Sequence, residues 1–206
     1  NLRAEMSRGP KGEIDAFICC APKGIGQRMG YDCCIDRKWT QDTVHDEIMK
    51  LADFGIDYSQ YFDQNLGGSA HFCYSREHGH PNMPGSWQTE AMKRLGQRVE
   101  ESLAKRGCKM LIGCEASAAQ PYLKYMQFND NRSVNCFWLG ARPVPAYNYI
   151  FHEYINNFMG NQNGLGWALD LQKSPDNLLY RLALNFITGD MLSVMLKDKG
   201  DIHWCW

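Results

Sequence analysis

Ile56-Asp-Tyr-Ser-Gln-Tyr-Phe-Asp-Gln-Asn65 is the stretch on which the reading of the fold turns. It follows a segment of helical periodicity and the stop signal Gly55, and its aromatic and polar residues read as a strand. The strand ends in Asp63, Gln64 and Asn65, and the chain then breaks into Leu66-Gly-Gly-Ser69. Strand ends are often polar for solubility alone. A carboxylate and two amides at a strand tip before a glycine-rich loop also suit an α/β enzyme, whose site is built at the carboxyl ends of its strands. The rest of the chain has to decide.

Outward from this strand, short apolar runs alternate with helical segments. Ala16 to Cys20 reads as a buried strand, followed by a polar loop through Cys34. Thr40 is placed to cap a helix in which Val44, Ile48 and Leu51 recur at helical spacing, with Gly55 as its end. Ser86 opens the next helix, where Ala91, Leu95, Val99 and Leu103 share a face until Gly107. Lys109 to Cys114 is the following strand and ends at Glu115. A helical patch from Pro121 to Phe128, strands over Val134–Leu139 and Val144–Phe151, a helix over Pro175–Ile187 and a last strand over Met191–Leu196 complete the reading.

Strand tips thus present Asp63, Glu115 and Glu153 in succession. A β/α series with acids at its strand C-termini points to an α/β fold of the (β/α)8 TIM-barrel type. Such a barrel typically takes ~250 residues, and the chain has 206. About six strands are read, so the expectation is a single barrel domain over residues 1–206 lacking its first one or two β/α units, as a fragment of a longer protein would. The connection from Leu139 to Val144 is too short for a crossover helix. An open doubly wound sheet is the alternative, but no glycine-rich phosphate turn supports a nucleotide site.

Composition bounds the function. Hydrophobic residues make up 44% and charged residues 22%, and the net charge is −1. Acidic and basic residues are interspersed, so there is no basic field of the kind nucleic-acid binding needs. No run approaches the ~20 apolar residues of a membrane helix. The opening Asn-Leu-Arg-Ala-Glu-Met has no apolar signal core and reads as an internal start. The nine cysteines include the adjacent pairs Cys19-Cys20 and Cys33-Cys34 but no C-x-x-C spacing. Cys19, Cys20, Cys114 and Cys136 lie in strand-like runs and read as small buried hydrophobes.

Two carboxyl groups flanking the scissile bond are what glycoside hydrolysis requires. Asp63 and Glu115 end consecutive strands and are the first pair by spacing. Tyr61-Phe-Asp-Gln64, Cys73-Tyr74, His78-Gly-His-Pro81, Trp87 opening a helix, Gly113-Cys-Glu115 and Val144-Pro145 leading to Tyr149-Ile-Phe-His152 form an ordered set. From about Phe17 to Gly160 it resembles a poorly characterised glycosidase-like barrel family of bacterial polysaccharide-degradation proteins, similar in layout to the endo-α-N-acetylgalactosaminidases. That resemblance implies a retaining hydrolase of poly- or oligosaccharides with Asp63 as nucleophile and Glu115 as general acid/base. It also implies a carbohydrate partner, no cofactor, and secreted or periplasmic location.

Around this pair, Tyr61, Gln64, Cys73, His78, His80, Trp87, Tyr149, His152 and Glu153 are the candidate substrate contacts. Gln64 and Asn65 offer both donor and acceptor to a sugar hydroxyl, and Trp39, Trp87, Trp138 and Tyr149 offer stacking faces. A rival pairing takes Glu153, closing a strand after His152, as the nucleophile; the alternative is that it starts the following helix. Cys73, His78 and His80 also invite a metal reading, yet C-x4-H-x-H matches no common zinc spacing and zinc needs about four ligands. The expectation is therefore a loop that is rigid over the cleft, with no metal, and a metal-dependent hydrolase or a non-catalytic sugar-binding barrel as alternatives.

Overall fold

The computed structural model describes residues 1–14, 16–19, 28–63, 72–131, 144–158 and 175–191. The chain divides into two interleaved units, Asn1–Asp57 with Ser69–Met110, and Tyr58–Gly68 with Leu111–Trp206.

In the first unit, strands β1 (Ala16–Cys19) and β2 (Arg28–Tyr31) pair antiparallel, Ala16 opposite Tyr31 and Cys19 opposite Arg28. The expected first strand is present, but paired antiparallel with β2 rather than as a member of a parallel sheet. Two long helices follow, α1 (Lys38–Asp53) and α2 (Ser86–Lys105). Of the faces the periodicity predicts, Ile48, Ala91, Leu95, Val99 and Leu103 are buried, while Val44 and Leu51 of α1 are half-buried. Polar clasps join the two helices. Gln41 Nε2 donates to Ala91 O at 2.9 Å, His45 Nε2 meets Ser102 Oγ at 2.9 Å, and Arg98 pairs with Asp42 at 2.6 Å.

The caps differ from expectation at one end and agree at the other. Arg37 and Gly85 stand at the N-caps without a side-chain capping bond, and Thr40 is a buried first-turn residue instead. At the C-termini, Gly55 N bonds Ala52 O while Ile56 N bonds Leu51 O, and Gly107 N bonds Ala104 O while Cys108 N bonds Leu103 O. Both are the paired bonds of a Schellman motif, which satisfies carbonyls the helix leaves over.

The second unit is built on a parallel sheet of β3 (Tyr58–Phe62), β4 (Leu111–Glu115), β5 (Phe128–Asp130) and β6 (Asn156–Phe158), in that spatial order. Phe62 pairs with Cys114, Cys114 with Asn129, and Asn129 with Asn157. Met191 adds a parallel bridge to Phe158 beyond β6. The molecule is thus mixed α/β with a sheet whose strands follow one another in sequence. Phe62, Ile112, Cys114, Met126, Phe128 and Ile155 are buried in this unit.

Three expectations need correction here. Val144–Phe151 is not a strand: Ala146–Phe151 is helix α3, with Pro145 at its N-cap. Aromatic and β-branched content suggested a strand, but a proline just before the first turn also suits a helix start. Glu153 consequently closes no strand; it lies exposed in the turn after α3. The Pro121–Phe128 patch is a 3-10 turn over Gln120–Tyr122, and Phe128 begins β5. Helix α4 (Pro175–Thr188) matches the expected helix. Val134–Leu139, Gln64, Asn65 and Trp138 lie outside the described residues, as does most of the last expected strand. Among the described residues no helix is long and apolar enough to cross a membrane.

Candidate functional site

Alternation along a strand sends successive side chains to opposite faces, and paired residues of parallel neighbours share a face. Glu115, the last residue of β4, pairs with Asp130, the last residue of β5. Asp63 directly follows Phe62, whose partner is Cys114. Asp63 thus leaves the end of β3 beside the strand that ends in Glu115. Asp63, Glu115 and Asp130 therefore form a row along the carboxyl ends of three successive strands, with Glu115 and Asp130 directly paired. Asp63 is exposed, Glu115 half-buried and Asp130 1% exposed. Asp130 is the member the sequence reading missed, because Phe128-Asn-Asp130 carries none of the β-branched signal of a strand.

The opposite face of the sheet carries Phe62, Cys114, Asn129 and Asn157. Asn129 Nδ2 donates to Asn157 Oδ1, and Asn129 Oδ1 accepts from Ala118 N at 2.9 Å. The Tyr147 hydroxyl of α3 lies 2.9 Å from the same Oδ1 and 2.8 Å from Ala118 O. So α3 covers the face away from the carboxylate row. Burial pushes the Tyr147 phenol up, with the Cys114 thiol as a lesser cause. A second relay runs from Ser117 Oγ to Asn131 Oδ1, from Asn131 to Asn148, and from Asn148 to Asp190.

Both relays grip the turn that leaves Glu115. Ala116 holds φ +63° there, a left-handed conformation costing a residue with a Cβ about 1–2 kcal/mol. The Cys114 thiol donates to Ala116 O at 3.2 Å, and burial pushes that thiol up to about 12. The tip of β4 is held by side chains from β5 and by α3, which fixes where Glu115 emerges.

The other expected site residues separate into two groups. Tyr61 is half-buried within β3, while Tyr149, His152 and Glu153 are exposed on and after α3, with Tyr149 81% exposed. Trp39 is also exposed. Cys73, His78 and His80, together with Trp87, are in the first unit.

There Cys73, His78 and His80 are buried, and a residue not anticipated, Cys34, joins them. The four donor atoms lie within 4.8 Å of one another. Cys34 Sγ is 3.3 Å from His80 Nε2, and Cys73 Sγ is 3.4 Å from His78 Nδ1. The indole of Trp87 stacks on the His80 ring at 3.7 Å between centroids and 7° between planes. The backbone around them is three short extended pieces side by side. Cys34 N donates to Glu5 O, Ser7 N to Asp32 O, and Tyr74 N to Arg8 O. Arg37 pairs with Glu5 at 2.8 Å and keeps its carboxyl below the usual range. Cys33, next in sequence, is turned elsewhere, and burial pushes its thiol up.

The expected placing of these side chains over a sugar cleft now competes with their burial, since all four turn toward one another. Nearby, Arg8, Lys11, Tyr74 and Arg76 line a shallow cleft of about 380 Å³.

No curated protein matches the sequence. One family model does, over residues 24–161, a span that holds all three carboxylates and all four Cys and His residues. With two thirds of its length matched, the chain belongs to the DUF6259 family, described as a domain of unknown function.

Proposed function

We propose that the chain is a glycoside hydrolase built on a (β/α)8-type barrel, with Asp63 as nucleophile and Glu115 as general acid and then base. The observation that carries the reading is the row of carboxylates at the carboxyl ends of neighbouring parallel strands, Asp63 just beyond β3 and Glu115 paired with Asp130. The strand order supports a barrel: β3 to β6 and then Met191 give five consecutive, parallel, sequential positions. A doubly wound sheet reverses its order partway.

In a retaining enzyme the two carboxyls stand ~5–5.5 Å apart, against ~6.5–9.5 Å in an inverting one. In the first step Glu115 gives its proton to the leaving oxygen while an Asp63 oxygen bonds the anomeric carbon. In the second, Glu115 takes a proton from water, which displaces Asp63 from the sugar. Asp130, one strand on, pairs in register with Glu115 and adds a third carboxyl to the row. The Asn129 and Asn131 relays keep Glu115 in position between the steps.

The test is hydrolysis of a panel of aryl glycosides and of polysaccharides by the full chain, with Asp63→Asn and Glu115→Gln. Each variant loses activity by about 100-fold or more, and azide restores turnover of activated substrates to Glu115→Gln alone. Near-wild-type activity in either variant overturns the assignment. Glycan binding with no product release by the wild-type chain identifies a binding barrel instead.

A further inference from the structure

We propose that Cys34, Cys73, His78 and His80 form a structural zinc site. The inference is independent of the hydrolase reading, because it concerns the first unit and what holds it together.

The geometry is that of a single ion's donors. A tetrahedron with Zn–S of about 2.3 Å and Zn–N of about 2.0–2.1 Å has S···N edges of about 3.5 Å. Two of the four sulfur–nitrogen separations, 3.3 Å and 3.4 Å, fall within a few tenths of that edge. No donor lies more than 4.8 Å from another, so one ion between them reaches all four with small adjustments. Two sulfurs and two imidazoles in this arrangement select zinc over magnesium or calcium, which take oxygen ligands.

The surroundings prepare the donors. His80 Nδ1 lies 2.7 Å from Pro81 O. A carbonyl only accepts, so Nδ1 carries the proton and Nε2 turns its lone pair toward Cys34. This is the arrangement that orients a metal-bound histidine. Trp87, stacked on the same ring, fixes its plane. Gly79, between the two histidines, has φ +86°, and that reversal lets both rings converge.

Charge also balances. Zinc binding breaks two S–H bonds, forms two Zn–S and two Zn–N bonds, and delivers two protons to solvent. Two thiolates then neutralise the ion's double charge, and the imidazoles are neutral. A buried site of zero net charge avoids the large cost of burying an uncompensated ion. All four coordination positions are filled by protein, which leaves no place for a reacting water and makes the site structural. Its effect is to fasten the Cys73–Pro81 loop to the segment that opens α1.

The experiment uses the untagged full chain, purified under reducing conditions, with metal content measured and the apo-protein then titrated with cobalt(II) alone. The expected result is one zinc per chain as isolated. Cobalt should give the intense visible bands of tetrahedral coordination and a thiolate charge-transfer band, both bleached by zinc. Cys34→Ser should halve the charge-transfer band and weaken cobalt binding at least tenfold. In case that variant fails to fold, alkylation of the wild-type chain is followed by mass spectrometry. Cys34 and Cys73 should be protected until a chelator is added, whereas Cys108 reacts equally with and without it. An octahedral cobalt spectrum, absence of stoichiometric zinc or cobalt uptake, or a Cys34–Cys73 disulfide that takes up no zinc after reduction would overturn the proposal.

Discussion

Gly113→Ala tests the approach of β4 to β5 on which the carboxylate row depends. A Cβ at Gly113 would lie 2.4 and 2.5 Å from two ring carbons of Phe128 and 2.6 Å from Phe128 O. The ring can swing away, but the carbonyl belongs to the backbone of β5 and cannot. Ordinary contact begins at 3.4 Å, so the strands must part by about 0.8 Å, with overpacking of this kind costing about 1–3 kcal/mol. For a chain of this size each kcal/mol moves the thermal midpoint by about 2–4 °C, so a fall on the order of 2–12 °C is expected. The assay is thermal unfolding followed by circular dichroism for wild type, Gly113→Ala, Phe128→Leu and the double variant. Because the carbonyl clash survives loss of the ring, Phe128→Leu should recover less than half of the alanine's cost. A Gly113→Ala midpoint within about 1 °C of wild type would refute the close approach. Full rescue by Phe128→Leu would show that the ring alone fills the space.

Asp190 gives a pH-dependent prediction. Burial raises its pKa above the usual 3.8, against the lowering effect of bonds from Thr188 and Asn148. A carboxyl raised on folding binds its proton more tightly in the native state, so its contribution is full below about pH 4 and is lost as pH rises through the folded value. Asp190→Asn should flatten that acid-range decline in urea midpoints, and an unchanged slope would remove the residue from the account. Leu95 is fully buried on α2, and Leu95→Ala should lower unfolding free energy by about 2–5 kcal/mol with an unchanged urea m-value. A loss under about 1 kcal/mol would mean that the face is not packed as described.

What could be read from the residues alone follows physical lines. α1, α2, β3 and β4 were legible because their apolar spacing is regular and Gly55 and Gly107 mark their ends. β5 and β6 were not, since Phe-Asn-Asp and Asn-Asn-Phe are built of residues that strands usually avoid. Their amides are tolerated because Asn129 and Asn157 bond one another. α3 misled because Tyr147, Tyr149 and Ile150 favour strands, while the helix is held by tertiary bonds from Tyr147 and Asn148. Asp63 and Glu115 were found as strand tips, and Asp130 was hidden with its strand. Cys34 lies 39 positions before Cys73 (73 − 34), too far for any local spacing to connect them. The only hint was its place in a cysteine pair.

The interleaving of the two units has a practical consequence for anyone dividing the chain. β3 belongs to the second unit, yet residues 69–110 return to the first before β4 begins. No single cut separates the units: a piece ending at Asp57 loses α2 and three of the four Cys and His donors, and one starting at Leu111 loses β3 and Asp63. Joining β3 to β4 closes an excursion of 48 residues (63–110), against 12 (116–127) between β4 and β5. By loop entropy that fourfold difference disfavours the first pairing by about 1.2 kcal/mol. β3, the strand that leads into Asp63, is therefore the one to dock after β4 and β5 have met, and dissection should proceed by deletion within loops.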